Sequence, residues 1–355
     1  MPSNIHLASI GTSLPPCKIS QEKALSLVTN YYENELTPRS ISVLQKLFNH
    51  PGIKSRNFAF DDIQKTSTIK NEHPDNRVQR FTDWAVNLSS SAVINTLGPL
   101  SLKPQNIDSL IVNTCTGYIC PGISSYLIEK LNLRNDTRVY DLVGTGCGGA
   151  IPNIQLGTSL AKDGQTVVCV SVEICSATFE MDNDINLLVS NSIFGDGAAA
   201  ALLWNKPIGV KVVDSVSLFF PQFREHIRYI HKNGRLHNQL SSTLPAIIRD
   251  KAPEAVATVL SRNNLTCHDI EHWAIHPGGV KILNYLQNAL TLTDNQIQYS
   301  RFVLEKNGNM SSPTVLFILK DILNNGNVNN GDWGIVMAFG AGLSIYTLLL
   351  HWENK

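Results

Sequence analysis

The chain has 355 residues, a length that predicts two domains of ordinary size or one large α/β unit with an extensive buried core. Its 29 Lys and Arg balance 29 Asp and Glu, which argues against a basic nucleic-acid-binding surface or an acidic tail. Hydrophobic residues make up 43%, which argues against disorder. Charged residues make up only 16%, compared with about 25% in average proteins, which raises the question whether less of the surface needs to face water than in a monomer of this size.

The sequence shows no signal for export, membrane insertion or metal binding. The first seven residues lack a basic segment followed by an apolar one. The longest apolar stretch, Ile335–Leu350, is broken by Gly340 and Gly342 and is shorter than the roughly 20 residues of a membrane helix. The seven cysteines are odd in number and form no C-x-x-C pair, which disfavours disulfides and zinc. We therefore expect a reduced, cytoplasmic location, no membrane span and no metal.

Apolar strands alternate with helices through the first 205 residues. Helical spacing covers residues 20–50, and a second helix spans Thr82–Leu97. Further helices are expected at Gly122–Leu131 and from Gly149 to about Lys162. The predicted strands are Ile5–Ile10, Ile107–Asn113, Val139–Val143, Thr166–Val172 and Ala198–Trp204.

The second half, residues 206–355, repeats the order of elements found in the first half, residues 1–205. Each contains a strand, a glycine turn with a reactive residue, and then a helix. The predicted strands are Gly209–Phe219, His272–Ile275, Trp333–Phe339 and Leu343–Trp352, and the predicted helices are Pro245–Leu260, Gly279 to about Leu290, and Ser312–Leu323. The alternation predicts a mostly parallel sheet covered by helices on both faces.

Cys147 is the most informative single residue. It lies between a predicted strand and a predicted helix, within Gly144-Thr145-Gly146-Cys147-Gly148-Gly149. Glycines permit a tight turn that exposes the side chain, and the free N–H groups of a helix N-terminus favour a thiolate. The pattern predicts a nucleophilic cysteine with a lowered pKa. The alternative is a buried cysteine in a glycine-rich packing turn.

Two further residues are candidates for the same site. His276 ends a strand and precedes Pro277-Gly278-Gly279, and ligands bind at the carboxyl ends of strands in α/β sheets. Asn309 lies just before a helix, where it either caps that helix or donates its amide into a cavity. A structural histidine and a simple helix cap are the alternatives.

These motifs together resemble those of the type III polyketide synthases, the chalcone-synthase-like and bacterial alkylpyrone-synthase-like members of the thiolase superfamily. The resemblance covers almost the whole chain, in the same order and spacing. It rests on Gly144–Ala150, Phe194–Ala199, His276–Gly279, Gly308–Ser312 and Gly340–Gly342. No Walker loop occurs, and Gly144–Gly149 lacks the spacing of a dinucleotide fingerprint.

The resemblance implies a five-layered αβαβα thiolase-like fold with two pseudo-equivalent halves, and a homodimer. It implies that Cys147 takes an acyl group from a starter acyl-CoA, while His276 pairs with the thiolate. His276 and Asn309 then stabilise the enolate formed when malonyl-CoA loses CO₂. Repeated condensation and cyclisation give a pyrone, a resorcinol or a related aromatic product. The reaction uses CoA thioesters as substrates and no cofactor.

The resemblance also assigns residues around the site. Phe194 matches a gatekeeping aromatic, and Cys120 replaces a frequent methionine that reaches into the partner subunit's cavity. The other pocket residues are Cys115, Cys175, Thr178, Ser190, Leu236, Asn238 and Ser311. The residues expected to bind CoA are Lys46, Lys54, Arg56, Gly278, Gly279 and Lys281. Ala341 replaces a frequent proline, and these departures favour a bacterial-type cavity that accepts a fatty acyl starter.

Two other interpretations remain open from the sequence. One is a ketoacyl-ACP synthase III or another thiolase-fold condensing enzyme, but the former normally lacks a Pro-Gly-Gly sequence after its histidine. The other is a catalytically silent acyl-binding homologue, which the presence of Cys147, His276 and Asn309 disfavours.

Overall fold

The computed structural model describes residues 4–353; residues 1–3, part of the segment used to judge export, lie outside this range. The strands are β1 (His6–Ser13), β2 (Cys17–Ser20), β3 (Ser55–Phe58), β4 (Ser109–Asn113), β5 (Arg138–Leu142), β6 (Val167–Glu173), β7 (Gly197–Trp204), β8 (Val210–Phe219), β9 (Ile227–Lys232), β10 (Arg235–Leu240), β11 (His272–Ile275), β12 (Trp333–Gly340) and β13 (Ser344–His351). The helices are α1 (Gln21–Tyr31), α2 (Pro38–Phe48), α3 (Pro74–Leu97), α4 (Ile123–Leu131), α5 (Ala150–Ala161), α6 (Ile185–Ile193), α7 (Leu244–Arg262), α8 (Val280–Ala289), α9 (Asp294–Asn307) and α10 (Thr314–Asn325).

Nine strands form one mixed sheet in the order β11-β12-β13-β8-β1-β7-β6-β4-β5. It has two similar parts, β1-β7-β6-β4-β5 and β8-β13-β12-β11, which meet where β1 pairs with β8. Five of its eight strand pairings are antiparallel, so the prediction of a mostly parallel sheet was wrong. Strands such as β7 and β13 are buried on both faces. Such continuous apolar runs do not report strand direction.

The helices complete five layers around these two parts of the sheet. α5 and α10 lie between the parts: Ile151, Ile154, Val315 and Ile318 are fully buried in one core that includes strands of both. α3 and α4 cover the outer face of the first part, and α7 and α8 cover the outer face of the second. The predicted five-layered αβαβα fold is confirmed.

Several elements escaped the sequence prediction. They are the pair β2–β3, helix α6, the hairpin β9–β10, helix α9 and the first two turns of α3. The hairpin has no buried residue after Ile227, so it lacks the alternation of apolar and polar residues that marks a strand. Within residues 4–353, no helix is long and apolar enough to cross a membrane.

A close approach of α3 to β1 holds the first outer layer in place. The Gly11 amide donates to the Thr96 hydroxyl at 2.8 Å, and that hydroxyl also donates to the Ala92 carbonyl. A methyl group on Gly11 would lie 2.2 Å from the Ala92 carbonyl oxygen. Only glycine at position 11 permits this helix–strand distance.

We predict that Gly11→Ala destabilises the fold by about 1–3 kcal/mol, because α3 must move away from β1. Chemical denaturation followed by tryptophan fluorescence measures the change. Gly98→Ala is the matched control, since nothing lies within 4 Å of a methyl group there and its φ of −51° suits alanine. Equal midpoints for the two variants would contradict the packing argument.

Candidate active site

Cys147 lies in a short 3₁₀ turn, Gly146–Gly148, between β5 and α5. Gly144 and Gly146 have φ values of +86° and +58°, in the left-handed region that favours glycine. A side chain on Gly148 would lie 2.7 Å from the ring of Tyr346 in β13. The glycines thus let this turn pack against the second part of the sheet while Cys147 remains partly exposed.

His276 extends the end of β11. Its backbone amide donates to the Met337 carbonyl at 2.8 Å, which continues the parallel pairing of β11 with β12. The residue is 1% exposed, and its ring meets the Phe339 ring edge-on, with 5.4 Å between centroids. The buried Nδ1 atom has no hydrogen-bond partner among the described residues. The strand and the aromatic ring therefore fix the imidazole without occupying its Nδ1 atom.

Asn309 connects the loop before α10 to two other segments. Its side-chain oxygen accepts from the Ser311 amide at 2.7 Å, and its Nδ2 donates to the Gly278 carbonyl at 3.0 Å. Its backbone forms a parallel bridge with Phe194 through hydrogen bonds to Ile193 and Gly195. A side-chain amide has two N–H donors, so one remains available to the cavity.

These side chains meet in one cavity of about 390 Å³, which we call the outer cavity. Cys147, His276, Asn309 and Phe194 all line it, as the sequence predicted that they would come together. Its remaining walls are mostly aliphatic and aromatic. Phe339, which no motif singled out, belongs to these walls. The arrangement offers a soft nucleophile, an imidazole and an amide donor inside an apolar chamber.

Burial moves Cys147 and His276 toward their uncharged forms. It raises the pKa of Cys147 to about 12, although the hydrogen bond from Ser311 opposes this and Glu173 adds to it. It lowers the pKa of His276 to about 3. The expected lowering of the Cys147 pKa by the helix N-terminus is not seen, because desolvation of the thiolate is larger. Transfer of the thiol proton to the imidazole would create a charged pair with no net charge.

Ser311 is the hydroxyl nearest the nucleophile. It donates to the Cys147 sulfur at 3.3 Å, and its oxygen lies 3.6 Å from the sulfur of Cys115. Ser311 has a φ of +60°, so the backbone itself turns this hydroxyl toward the cysteines. Cys115 and Ser311 line one small pocket together with Cys147.

Two small pockets share Phe194 with the outer cavity. One of about 30 Å³ is lined by Cys115, Tyr229 and Asn238 among others. The next, of about 20 Å³, has walls from Cys175, Thr178, Ser190, Asn238 and Phe194. Leu236 and Cys120 lie outside both pockets and the outer cavity, and Cys120 is exposed next to the cis peptide bond of Pro121.

The expected CoA-binding residues divide into two groups. Lys46, Gly278, Gly279 and Lys281 line the outer cavity, and both lysines are exposed. Lys54 is exposed but pairs with Glu305.

Arg56 has a different role from the one that the sequence predicted. It is 2% exposed and donates to Gln21 and to the carbonyls of Asn191 and Phe194. Its guanidinium group therefore braces the segment that carries Phe194, and it cannot meet a phosphate at the surface.

Glu173 and Tyr229, like Phe339, lie near the site and were missed by the sequence analysis. Glu173 ends β6, is fully buried, and accepts hydrogen bonds from the Cys115 and Thr116 amides at 3.0 and 3.1 Å. Burial raises its pKa, and these hydrogen bonds oppose the rise. A charged residue that ends an otherwise apolar strand was an available signal for Glu173. Tyr229 lies in the unpredicted hairpin, 3.4 Å from the Thr178 hydroxyl.

Comparisons with known proteins agree with this geometry. Residues 12–213, more than half of the chain, match the family described as FAE1/Type III polyketide synthase-like protein. Residues 211–352 match the C-terminal domain of chalcone and stilbene synthases. The chain belongs to the type III polyketide synthase family, whose members are acyltransferases that catalyse decarboxylative condensation.

The individual relatives have low sequence identity to this chain, but the similarity extends over nearly the whole of both chains. The chain is 28% identical to a 3,5-dihydroxyphenylacetyl-CoA synthase from Streptomyces toyocaensis, over 99% of this chain and 91% of that protein. It is 27% identical to a putative chalcone synthase from Bacillus subtilis, over 98% and 99%. A crystal structure of 1,3,6,8-tetrahydroxynaphthalene synthase from Streptomyces coelicolor superposes with a TM-score of 0.90 at 24% identity, covering 99% and 100% of the two chains. These matches support the polyketide synthase interpretation over the carrier-protein and silent-homologue alternatives.

We predict that Ser311→Ala raises the pKa of the Cys147 thiol, because the thiolate loses a hydrogen bond that stabilises it. Iodoacetamide labelling of Cys147 between pH 8 and 11, read by mass spectrometry, should slow by about tenfold at a given pH. Ser190→Ala is the control, since that pocket hydroxyl donates to the Asn186 carbonyl and does not contact Cys147. Identical labelling profiles for the parent and Ser311→Ala would exclude this role.

Proposed function

We propose that Cys147, His276 and Asn309 are the catalytic residues, and that the enzyme extends an acyl-CoA starter with malonyl-CoA. The observation that carries the proposal is that these three side chains line one apolar cavity next to Phe194. The cycle ends in closure of a pyrone, a resorcinol or a related aromatic ring. None of these steps requires electron transfer or a Lewis acid, so we expect no redox cofactor and no metal.

Loading begins with proton transfer from Cys147 to His276. The thiolate attacks the thioester carbonyl of the starter, the bond from carbon to CoA sulfur breaks, and the imidazolium returns a proton to the departing CoA thiolate. Ser311 donates to the Cys147 sulfur throughout, which favours the thiolate. Burial disfavours each charge taken alone, and the attraction between the thiolate and the imidazolium opposes that cost.

Decarboxylation then uses the same imidazole in its protonated or N–H form. The carbon–carbon bond to the malonyl carboxylate breaks, CO₂ leaves, and the electron pair moves into an enolate whose oxygen needs donors. The free N–H of Asn309 and a His276 N–H are suited to this oxygen. Phe194 presents an apolar surface that disfavours the carboxylate. The enolate carbon attacks the acyl group on Cys147, and the thiolate leaves.

The mouth of the outer cavity suits the phosphates of CoA. Lys46, His50 and Lys281 line the cavity, and all three are exposed. The glycines at 278 and 279 leave room for the pantetheine arm next to His276. Because the cavity also holds Cys147, a CoA thioester bound there has its carbonyl within reach of the nucleophile.

We further propose that each chain consists of two thiolase-like halves, residues 1–205 and 206–355, and that two such chains form a homodimer in the cytoplasm. β5 is an edge strand of the sheet, and Val139 and Val143 at this edge are 37% and 56% exposed. Tyr118 is 77% exposed in the loop that carries Cys120. An uncovered edge strand with apolar side chains favours pairing with a second copy. The seven free cysteines are consistent with a reducing compartment.

We predict that Cys147→Ala abolishes acyl loading and condensation but retains slow decarboxylation of malonyl-CoA. The variant keeps His276 and Asn309, which stabilise the enolate, and loses only the acyl acceptor. Intact-protein mass spectrometry measures loading, and release of labelled CO₂ measures decarboxylation. Cys169→Ala, which removes a core thiol away from the cavity, is the control. Condensation at the parental rate by Cys147→Ala would remove this residue from the nucleophile role.

The dimer is tested by light scattering coupled to size-exclusion chromatography. We predict a mass of twice the chain for the parent and a monomer for Val143→Glu, because a buried unpaired carboxylate is costly. Ile208→Glu, at an exposed apolar residue away from the β5 edge, should remain a dimer. A monomeric parent protein would refute this part of the proposal.

A further inference from the structure

A group of buried polar residues lies behind the nucleophile, outside the substrate space. We call it the Asn113 cluster: Asn113, Asn153, Ser171, Glu173 and Ser312. Each member is at most 1% exposed. None of them belongs to the described residues that line the outer cavity or the two small pockets. Burying this many polar side chains costs free energy unless each forms hydrogen bonds. The hydrogen bonds within the cluster therefore need an explanation.

Asn113, the last residue of β4, is the centre of the cluster. Its Nδ2 donates to the Ser312 hydroxyl at 2.9 Å. Its Oδ1 accepts from Asn153 Nδ2 at 2.9 Å and from the Ser171 hydroxyl at 2.6 Å. The Ser312 hydroxyl donates its only hydrogen to Glu173 at 2.7 Å, so it must accept in its hydrogen bond with Asn113. This fixes which end of the Asn113 amide faces Ser312. The bonds specify a single orientation of each group.

The cluster joins the two sides of the proposed catalytic site. Asn153 lies in the first turn of α5, the helix that follows Cys147, and its backbone amide donates to the Gly149 carbonyl. A methyl group on Gly149 would lie 2.6 Å from the Asn113 amide nitrogen, so the glycine turn packs directly on the cluster. On the other side, Ser312 follows Ser311, which donates to Cys147, and lies three residues after Asn309.

Apolar packing alone would hold these segments together but would tolerate small shifts between them. Hydrogen bonds in a buried network are directional, so they select one relative position. Catalysis is sensitive to such shifts, since a misplacement of roughly 1 Å can cost about 100-fold in rate. Cys147 comes from the first half of the chain and Asn309 from the second, so their relative position has to be set by contacts between the halves.

We infer that Asn113 is a positioning residue that places the Asn309–Ser312 loop relative to Cys147 through its hydrogen bond to Ser312. The inference rests on the proposed roles of Cys147 and Asn309. Asn113 touches neither substrate nor nucleophile; it acts through Ser312, and Ser312 acts through the backbone of the loop that carries Ser311 and Asn309.

Asn113→Leu keeps the number and branching of the side-chain heavy atoms and removes the three hydrogen bonds. We expect the kcat for decarboxylation of malonyl-CoA to fall by about 100-fold, with a KM within about twofold of the parent. We also expect the labelling profile of Cys147 to move to higher pH, in the same direction as for Ser311→Ala. Asn57→Leu is the matched control: it alters another buried asparagine, whose Nδ2 bonds to the Pro15 carbonyl, and should change neither readout.

A double-mutant cycle identifies the route of the effect. If Asn113 acts through Ser312, Ser312→Ala alone should lower kcat to a similar extent, and the double variant should be no worse than the more impaired single variant. Parental kcat and labelling profile in Asn113→Leu, or losses that multiply in the double variant, would overturn the inference. If Asn113→Leu does not fold, a parental kcat and a parental labelling profile in Ser312→Ala would also overturn the inference.

Failure of the proposed function gives a different result. A parent enzyme that never releases CO₂ from malonyl-CoA would refute the proposed reaction, while the labelling profiles of Asn113→Leu and Ser312→Ala would still decide the positioning role. A parent enzyme that is active, with Asn113→Leu equal to it in both readouts, would refute the positioning role alone.

Discussion

The geometry of this site depends on the hydrogen bonds of Asn309. Its amide oxygen holds the Ser311 backbone, its nitrogen holds the Gly278 carbonyl, and its own backbone bridges to Phe194. Ser311 in turn reaches Cys147, and Gly278 belongs to the turn that follows His276. One side chain thus relates the nucleophile, the imidazole and the aromatic wall to each other. The same hydrogen bonds also orient the second N–H of the Asn309 side chain. This donor therefore needs no reorganisation when negative charge develops on a bound oxygen.

The five layers bring the site residues together and also bury them, which favours their uncharged forms. α5 and α10 lie between the two parts of the sheet, so the residues at their N-terminal ends meet inside the molecule. Water is largely excluded there, and burial favours a neutral thiol and a neutral imidazole. In such a cavity, moving a proton from Cys147 to His276 leaves the summed charge of the two side chains at zero. The family's chemistry, in which charge appears and disappears within one cavity, fits this environment.

The glycine turn around Cys147 and the strand end at His276 were predictable, because short-range constraints create them. Strand direction was not, because β7 and β13 are buried on both faces and carry no alternation. Arg56 was assigned to CoA binding because the resemblance places it near the segment that supplies cations in relatives, yet aromatic rings and carbonyl oxygens bury it. Tyr229 was missed because its hairpin is only half-buried.

The sequence by itself provided the motifs around Cys147, His276 and Asn309, because these are short runs of residues at fixed spacings along the chain. The resemblance carried by those motifs indicated the family and implied the five-layered fold. The sequence could not determine which cations face the cavity, how large the space beyond Cys147 is, or that Glu173 and Asn113 lie behind the nucleophile. Those facts arise from contacts between residues separated by more than 100 positions, such as Ser311 with Cys147 and Ser312 with Asn113. Only the packing of the two halves against each other decides which side chains meet there.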